Sequence, residues 1–348
     1  MQAHSAESSE QEEHYDSHTQ FIAHDSVALG RLPQHRDTSP LGLRPLALKC
    51  VNTLRGHHSG VRVIAVGSNV HGEVVVYTGS YDNTIKVWHL DGGACLATLE
   101  GHAAWIRSLL VTHDETHLFS GDDDGIIKVW RTDTYALQRE LLPDDDGRAG
   151  GILAITMDAT RNLLLAGSYD ASIYVWSLPH FELLHVLRGH RSAVRSLIVH
   201  GDFILSGSYD RSVKLWDLNQ ECSCAGSLGT RGSVWAMVVL EGLLVGAVGD
   251  SSIKVWRMDT WDLITTLSGH RGLVLALAVY KDRLISGSDD RCIRVWRAGS
   301  WECERVLTGH DGGVVGICFV QGNLISASND SFIKIWNSSG NPRPFTAK

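Results

Sequence analysis

A basic excess is missing from this sequence, in which 31 Lys and Arg residues stand against 39 Asp and Glu, giving a formal net charge of −8. This balance argues against a nucleic-acid binder that works by neutralising phosphates, although it leaves a local basic patch open. Long apolar runs are also missing. The longest, Ala236 to Val248, is interrupted by Glu241 and is too short to span a bilayer, so no membrane segment is expected.

The N-terminal region lacks the features of a targeting signal. Its first 20 residues contain no Lys or Arg and carry five acidic residues, which argues against a secretory signal and a mitochondrial transit peptide. Residues 1–45 are rich in Ser, Glu, His and Gln and have few apolar groups, which predicts a disordered acidic tail. Histidines in this tail have no regular spacing, so a solvated segment is favoured over a metal site.

Seven copies of a motif that ends in tryptophan organise the rest of the chain. Each copy has an aspartate six residues before its tryptophan, and from Trp176 onward the copies follow at a constant interval of 40 residues. The pairs are Asp82 and Trp88, Asp124 and Trp130, Asp170 and Trp176, Asp210 and Trp216, Asp250 and Trp256, Asp290 and Trp296, and Asp330 and Trp336. A period near 40, with several short strand-like runs in each copy, predicts a β-propeller.

A Gly-His pair recurs in phase with these copies, with its histidine at His57, His102, His190, His270 and His310. Together the two signals resemble the WD-repeat family, over about residues 46–337. The resemblance implies an all-β fold, a seven-bladed propeller of four-stranded antiparallel blades, followed by a short tail at 338–348. It is specific for the fold and says almost nothing about biochemical role.

The first strand-like run predicts how the ring closes. Lys49 to Leu54 has the form of an outer strand that leads into the next blade, whereas no such run follows Trp336. We therefore expect this N-terminal strand to pair with the last blade, since an open sheet edge invites aggregation.

Cysteine is sparse, at seven residues, and shows no metal-ligand spacing. Four cysteines occupy a position that is leucine in other repeats, which predicts small core side chains. They are Cys50, Cys95, Cys224 and Cys303. No disulfide, metal or cofactor is expected. A reducing compartment follows, the cytoplasm or the nucleus.

Recurring histidine, aspartate and hydroxyl residues suggest either a hydrolase triad or a structural network. A catalytic constellation normally occurs once, whereas this one occurs five times, so the structural interpretation is favoured. The resemblance implies a buried hydrogen-bond chain in each blade that joins the Gly-His histidine, the turn aspartate, a strand hydroxyl and the tryptophan. The hydroxyl belongs to a Ser or Thr eight to ten residues before the tryptophan, such as Ser206 or Ser208. The sequence leaves this choice open.

The third and fifth repeats lack the histidine. The third has the run Asp144-Asp145-Asp146 near this point, and the fifth is one residue short. Loops altered in this way are places where function can be added, and drift in a redundant array is the alternative.

Two positions in each repeat dominate partner contacts in the WD-repeat family, namely the fifth residue after the histidine and the residue before the aspartate. With Trp105, the resemblance therefore implies a partner-binding loop face, the propeller end around the channel mouth, that includes Arg62, Tyr81, Trp105, Arg107, Asp123, Tyr169, Arg195, Tyr209, Trp235, Asp289 and Asn329. Leu275 and Val315 make the first position aliphatic in the last two repeats.

These observations predict a non-catalytic scaffold that binds other proteins or peptides and works as a monomeric propeller within a multiprotein complex. The arginines and tyrosines of this face also resemble those of F-box-class WD receptors. That resemblance implies an alternative, the substrate-recognition subunit of a ubiquitin ligase that binds phosphorylated or acidic peptides. Asp122 to Asp124 would repel such an anion. An enzyme that uses the central channel is disfavoured, because no cluster of titratable residues stands outside the repeats.

Overall fold

The computed structural model describes residues 48–142, 150–178 and 180–337. Within these ranges the chain forms 28 β-strands, which make up seven antiparallel four-stranded sheets. The predicted all-β, seven-bladed propeller is therefore confirmed. The expected tails at 1–45 and 338–348 and the acidic run at 144–146 lie outside the described residues.

The chain begins with β1 (Lys49–Leu54), which belongs to the last blade. Blades 1 to 3 follow as β2 (Val61–Ser68), β3 (Val74–Ser80), β4 (Ile85–His89), β5 (Cys95–Leu99), β6 (Ile106–Val111), β7 (His117–Asp122), β8 (Ile127–Arg131), β9 (Leu137–Leu141), β10 (Ile152–Asp158), β11 (Leu163–Ser168), β12 (Ser172–Ser177) and β13 (Leu183–Arg188).

Blades 4 to 6 are β14 (Val194–His200), β15 (Phe203–Ser208), β16 (Ser212–Asp217), β17 (Ser223–Gly229), β18 (Val234–Leu240), β19 (Leu243–Val248), β20 (Ser252–Arg257), β21 (Leu263–Leu267), β22 (Val274–Tyr280), β23 (Arg283–Ser288), β24 (Ile293–Arg297) and β25 (Cys303–Leu307). Blade 7 consists of β26 (Val314–Val320), β27 (Asn323–Ser328), β28 (Ile333–Asn337) and β1.

Strand β1 closes the ring. It pairs antiparallel with β28, from Lys49 opposite Asn337 to Leu54 opposite Ile333. The Leu54 side chain is buried in the apolar cluster between blades 7 and 1. The predicted closure is confirmed, and the strand that begins the propeller also completes its last blade.

A separate apolar cluster fills each interface between neighbouring blades in the described part of the chain. Between blades 1 and 2, for example, Ile85 and Val87 of blade 1 meet Trp130 of blade 2. The third strands therefore alternate, with the aliphatic side chains facing one neighbouring blade and the tryptophan facing the other. This packing makes each tryptophan an anchor between two blades.

First strands contact one another around the ring, and fourth strands lie on the outside. At one end of the propeller, the loops that lead into the first strands meet the turns between the second and third strands. In blade 1, for example, the amide of Tyr81 in the turn between β3 and β4 donates a hydrogen bond to the carbonyl of Gly60 in the loop before β2 (3.0 Å). This end is the loop face that the sequence predicted around the channel mouth.

The core role predicted for four of the cysteines is wrong. Cys50, Cys95, Cys224 and Cys303 are exposed on the outer strands. Leu183, which occupies the same position in blade 3, is itself 41% exposed. Each of these residues pairs with its blade's tryptophan at a β-bulge, on a strand that has no neighbour on its other side. Exchange between Cys and Leu therefore reflects tolerance at the surface rather than core packing.

Candidate functional site

Five blades contain a histidine hydrogen-bond chain. In blade 4, Trp216 Nε1 donates to Ser206 Oγ (2.8 Å), Ser206 Oγ lies 2.7 Å from His190 Nε2, and His190 Nδ1 lies 2.7 Å from Asp210. The choice between Ser206 and Ser208 thus falls on Ser206, because Ser208 instead accepts the Asp210 amide (3.0 Å). The corresponding sets are His57, Asp82 and Trp88 with Thr78; His270, Asp290 and Trp296 with Ser286; and His310, Asp330 and Trp336 with Ser326.

Blade 2 uses a different aspartate from the predicted one. His102 Nδ1 lies 2.6 Å from Asp122, which is fully buried at the end of β7, whereas Asp124 is exposed. Asp122 also accepts the amides of Asp124 and Ile126, 3.1 and 2.8 Å away. Assignment of Asp124 to this chain is therefore wrong. The turn has the same backbone hydrogen bonds as in blade 1. The carboxylate that contacts His102, however, belongs to Asp122, two residues before Asp124.

The two blades without histidine hold their aspartates in other ways. In blade 3, Tyr174 stands where most repeats have Lys, and its hydroxyl donates to Asp170 at 2.5 Å beside Trp176. In blade 5, Asp250 pairs with Lys254 (3.3 Å), on the same strand as Trp256. The altered repeats therefore keep their turns through a residue on the third strand.

Burial and hydrogen bonding act in opposite directions on these aspartates. Burial alone would raise the pKa of Asp290, but hydrogen bonds from His270 and the Arg271 amide overcome it and lower that pKa to about 2. Asp330, held by His310, behaves in the same way, with a pKa of about 2. Burial lowers the pKa of His190. A neutral His190 beside an ionised Asp210, whose pKa is also lowered, fits a structural network.

The fifth position after the histidine is a β-bulge in every blade. The register between first and second strands shifts at Arg62 in blade 1 and at the equivalent residue elsewhere, namely Arg107, Leu153, Arg195, Trp235, Leu275 and Val315. A bulge redirects the side chain of its extra residue. This position is therefore set apart in the backbone as well as in the sequence.

The three arginines expected on the loop surface are buried. Arg62 and Arg195 have 0% exposure and Arg107 has 1%. Arg62 donates to Asn329 Oδ1 (2.8 Å), and its guanidinium lies 4.5 Å from the centre of the Tyr81 ring. These arginines form a layer beneath the surface, because aromatic rings from their own blade or from a neighbouring one cover them.

Arg107 and Arg195 repeat this arrangement. Arg107 donates to Asp123 (2.8 Å) and lies 5.0 Å from the Trp105 ring. Arg195 lies between the rings of Tyr209 and Trp235, at 4.4 and 4.5 Å. Trp235 is buried as well. The expectation that Trp235 lies among the exposed contact residues is therefore wrong, as it is for the three arginines.

Aromatic side chains form the accessible part of the predicted site. Trp105 is 41% exposed and Tyr169 39% exposed, whereas Tyr81 and Tyr209 are half-buried. The Trp105 and Tyr81 rings touch, with centroids 4.5 Å apart, so one aromatic patch spans blades 1 and 2. Asp289 is half-buried and Asn329 is exposed on the same face.

Close packing at this face depends on small residues. A Cβ atom on Gly151 would lie 2.8 Å from the Asp123 carbonyl oxygen, and one on Gly150 would lie 2.7 Å from the Tyr169 Cβ. Only glycine permits this approach. The third repeat thus loses its histidine and gains a glycine pair that packs against Asp123 and Tyr169.

Five further arginines on the loop face were missed by the sequence analysis. All are exposed on blades 4 to 6, and we refer to them as the arginine arc: Arg191, Arg211, Arg231, Arg271 and Arg291. They directly follow the Gly-His position or the turn aspartate. That shared position is the signal that could have identified them.

Neither a metal centre nor a membrane segment is evident in the described ranges. They hold no group of three or more His, Cys, Asp or Glu residues placed to bind a metal ion. They also include no helix with the length and apolar character needed to cross a bilayer.

Comparison with known sequences agrees with this architecture. The family profile "WD domain, G-beta repeat" matches residues 48–89, 93–131, 142–177, 181–217, 261–297 and 301–337. These ranges leave out residues 218–260, most of which fold as blade 5 despite the missing histidine. The altered fifth repeat is therefore a full blade.

Curated relatives are similar over shorter segments. Periodic tryptophan protein 2 homolog of Caenorhabditis elegans is 29% identical over 128 residues, covering 36% of this chain and 14% of that protein. Cell division control protein 4 of Saccharomyces cerevisiae is 29% identical over 167 residues, covering 42% of this chain and 20% of that protein. The match thus spans no more than a fifth of either relative.

The crystal structure of the WD40 beta propeller domain of Doa1 has the same fold, with a TM-score of 0.73 and 21% identity over 84% of this chain and 97% of that one. Repeats matched by the family profile cover well over half of the sequence. The chain therefore belongs to the WD-repeat family.

Proposed function

We propose that this protein is a non-catalytic scaffold that holds a peptide or loop of a partner protein on its loop face. Exposure of Trp105 is the observation that carries the proposal. Its ring is 41% exposed, touches Tyr81, and lies over the guanidinium of Arg107. Tryptophan and tyrosine at a rigid rim are typical of the residues that dominate protein interfaces.

Rigidity of the patch supports this role. Arg107 is held by Asp123, and Arg62 is held by Asn329, so the rings above them rest on a fixed layer. A preorganised aromatic surface loses little side-chain entropy on binding. WD-repeat propellers generally act as interaction domains, and the proposed compartment is the cytoplasm or the nucleus.

Affinity purification from a cell extract tests the proposal. We expect Trp105→Ala to lose partners that the wild-type chain retains. Trp301→Ala, in the turn between β24 and β25 at the opposite end, is the matched control and should retain them. Thermal unfolding of both variants shows whether each is folded. Retention of every partner by a folded Trp105→Ala variant would refute the proposal.

The second candidate function is substrate recognition in a ubiquitin-ligase complex through phosphorylated or acidic peptides. It first rested on Arg62, Arg107 and Arg195, which are buried beneath aromatic rings. Asp123 already accepts a hydrogen bond from Arg107, so the charge of this arginine is largely offset. The loop face favours this candidate only through the arginine arc. Purification with and without phosphatase treatment, scored for cullin-type ligase subunits, distinguishes it from a simple scaffold.

A further inference from the structure

The arginine arc gives blades 4 to 6 a positive charge that the described residues at the same positions of the other blades lack. Two positions in each blade supply it: the residue after the Gly-His position and the residue after the turn aspartate. In blades 1 to 3 and 7 the described residues at these positions are His58, Ala103 and Asp311, and Asn83, Gly125, Ala171 and Ser331. The turn aspartates occur in every blade, so the difference between the two groups of blades comes from the arginines.

Backbone hydrogen bonds fix the places from which these arginines extend. The Arg191 and Arg271 amides donate to Asp210 and Asp290, each at 2.9 Å. Arg211 and Arg291 stand at turn apices, with φ of 66° and 69°. Both pairs thus start from rigid points on the face, while their side chains reach into solvent.

Arg231 lies beside Arg211 across the junction of blades 4 and 5. The Thr230 amide donates to the Arg211 carbonyl at 2.9 Å, and Thr230 directly precedes Arg231 in the chain. Lys254 secures the same loop by donating to the Thr230 carbonyl (2.9 Å). The middle of the arc is therefore a pair of neighbouring arginines on a braced loop.

These side chains carry charge that the protein itself does not offset by contact. Among the described residues no carboxylate oxygen lies within ion-pair distance of the five guanidinium groups, whereas Arg161 and Arg283 elsewhere in the chain are each paired with two carboxylates. In a chain of net charge −8, exposed arginines confined to adjacent blades form a local field of opposite sign.

We propose that the arginine arc binds an acidic segment of a partner protein. This inference rests on the proposed function and names the chemistry of the partner. Carboxylate and phosphate groups share the bidentate geometry that guanidinium favours, so either can supply the negative charge. A polypeptide is favoured over nucleic acid because the net charge repels a long polyanion and exposed Asp250 interrupts the arc.

Binding of short fluorescent probes to the full chain tests the inference. The probes are a poly-glutamate peptide, a peptide of equal charge that contains phosphoserine, and a single-stranded oligonucleotide of equal charge, all measured by fluorescence anisotropy at low and physiological salt. The wild-type chain should bind the peptides with a salt-dependent Kd. Arg211→Glu/Arg231→Glu should weaken this binding by at least about tenfold, which corresponds to about 1.4 kcal/mol.

Arg257→Glu/Arg131→Glu is the matched control. It makes the same charge change at the ends of third strands, away from the loop face, and should leave the peptide Kd within about twofold of the wild-type value. Equal loss in both variants, no loss in the arc variant, or tighter binding of the oligonucleotide than of either peptide would overturn the proposal. Comparison of the two peptides distinguishes carboxylate from phosphate.

The outcome is separable from the test of Trp105. If the arc variant binds as the wild type does while Trp105→Ala loses its partners, the scaffold function stands and the acidic partner class is wrong. If both variants retain every ligand, both proposals fail.

Discussion

Tyr174 donates its hydroxyl hydrogen bond to Asp170, and so occupies the partner role that histidine has in five other blades. The tyrosine extends from the third strand, whereas the histidine extends from the preceding loop. Blade 3 therefore keeps its turn aspartate bound through a residue of its third strand. This substitution accounts for the regular shape of a blade whose repeat departs most from the pattern.

Removal of this hydroxyl should destabilise blade 3. We expect Tyr174→Phe to lower the free energy of unfolding by about 1–3 kcal/mol, because Tyr174 is buried and the carboxylate loses a short hydrogen bond. Urea denaturation measures the change. Tyr280→Phe removes the same atom from a half-buried ring that stacks on Phe319, and should cost less than about 0.5 kcal/mol. Equal losses in both variants would contradict the assigned role.

Neighbouring aspartates in blade 2 should respond very differently to the same substitution. Asp122→Ala removes the acceptor for His102 and for two amides, and should cost about 2–4 kcal/mol. Asp124→Ala changes an exposed side chain and should stay within about 0.5 kcal/mol of wild type. Thermal and chemical unfolding provide both values. A larger effect at Asp124 would restore the assignment made from the repeat alone.

Acid should weaken the fold in a defined pH window. Asp290 and Asp330 titrate with pKa values of about 2 in the folded state, below the ordinary 3.8, so the unfolded chain takes up protons first as the pH falls. Their stabilisation is fully present above about pH 4 and is lost as the pH falls through 2. Urea midpoints between pH 5 and 2.5 measure this dependence. Asp290→Asn should flatten it, and an unchanged slope would argue against a native carboxylate.

Thiol reactivity should follow the corrected positions of the cysteines. Cys50, Cys95, Cys224 and Cys303 are exposed and should react rapidly with iodoacetamide. Burial raises the pKa of the Cys222 thiol, which is nearly enclosed between blades 3 and 4 and should react only on unfolding. Mass spectrometry of the native protein against time gives the rates. Slow labelling of Cys50, Cys95, Cys224 and Cys303 would contradict their assignment to the surface.

Loss of β1 should open the ring. A chain that begins at Arg55 lacks the outer strand of blade 7 and the buried Leu54, whereas one that begins at Leu48 keeps both. We expect the shorter chain to unfold at a markedly lower temperature and to self-associate through the exposed edge of β28. Calorimetry and size-exclusion chromatography compare the two. A monomer of equal thermal stability would show that blade 7 does not need this strand.

Much of the fold could be predicted because its signals repeat. Seven tryptophans at a near-constant interval fix the number of blades, and the extra run before His57 fixes the closure. Asp122 could not be predicted by counting, because it occupies the turn position that is Ser80 in blade 1 and Ser208 in blade 4, and its carboxylate contacts His102 from there. The burial of Arg62 and Arg195 depends on aromatic side chains that are distant from them in the sequence, such as Trp235 of the next blade for Arg195. The residues next to each arginine in the sequence do not indicate such contacts.

Pairing of Lys49 with Asn337 has a consequence for the timing of synthesis. Among the strands of the propeller, β1 is translated first and has no partner strand until β28 has been made. Throughout translation it remains available to other chains or to a chaperone, while the interior blades can already pack in order. A nascent chain that stops before the end of β28 therefore cannot close the propeller, because β1 lacks its partner strand.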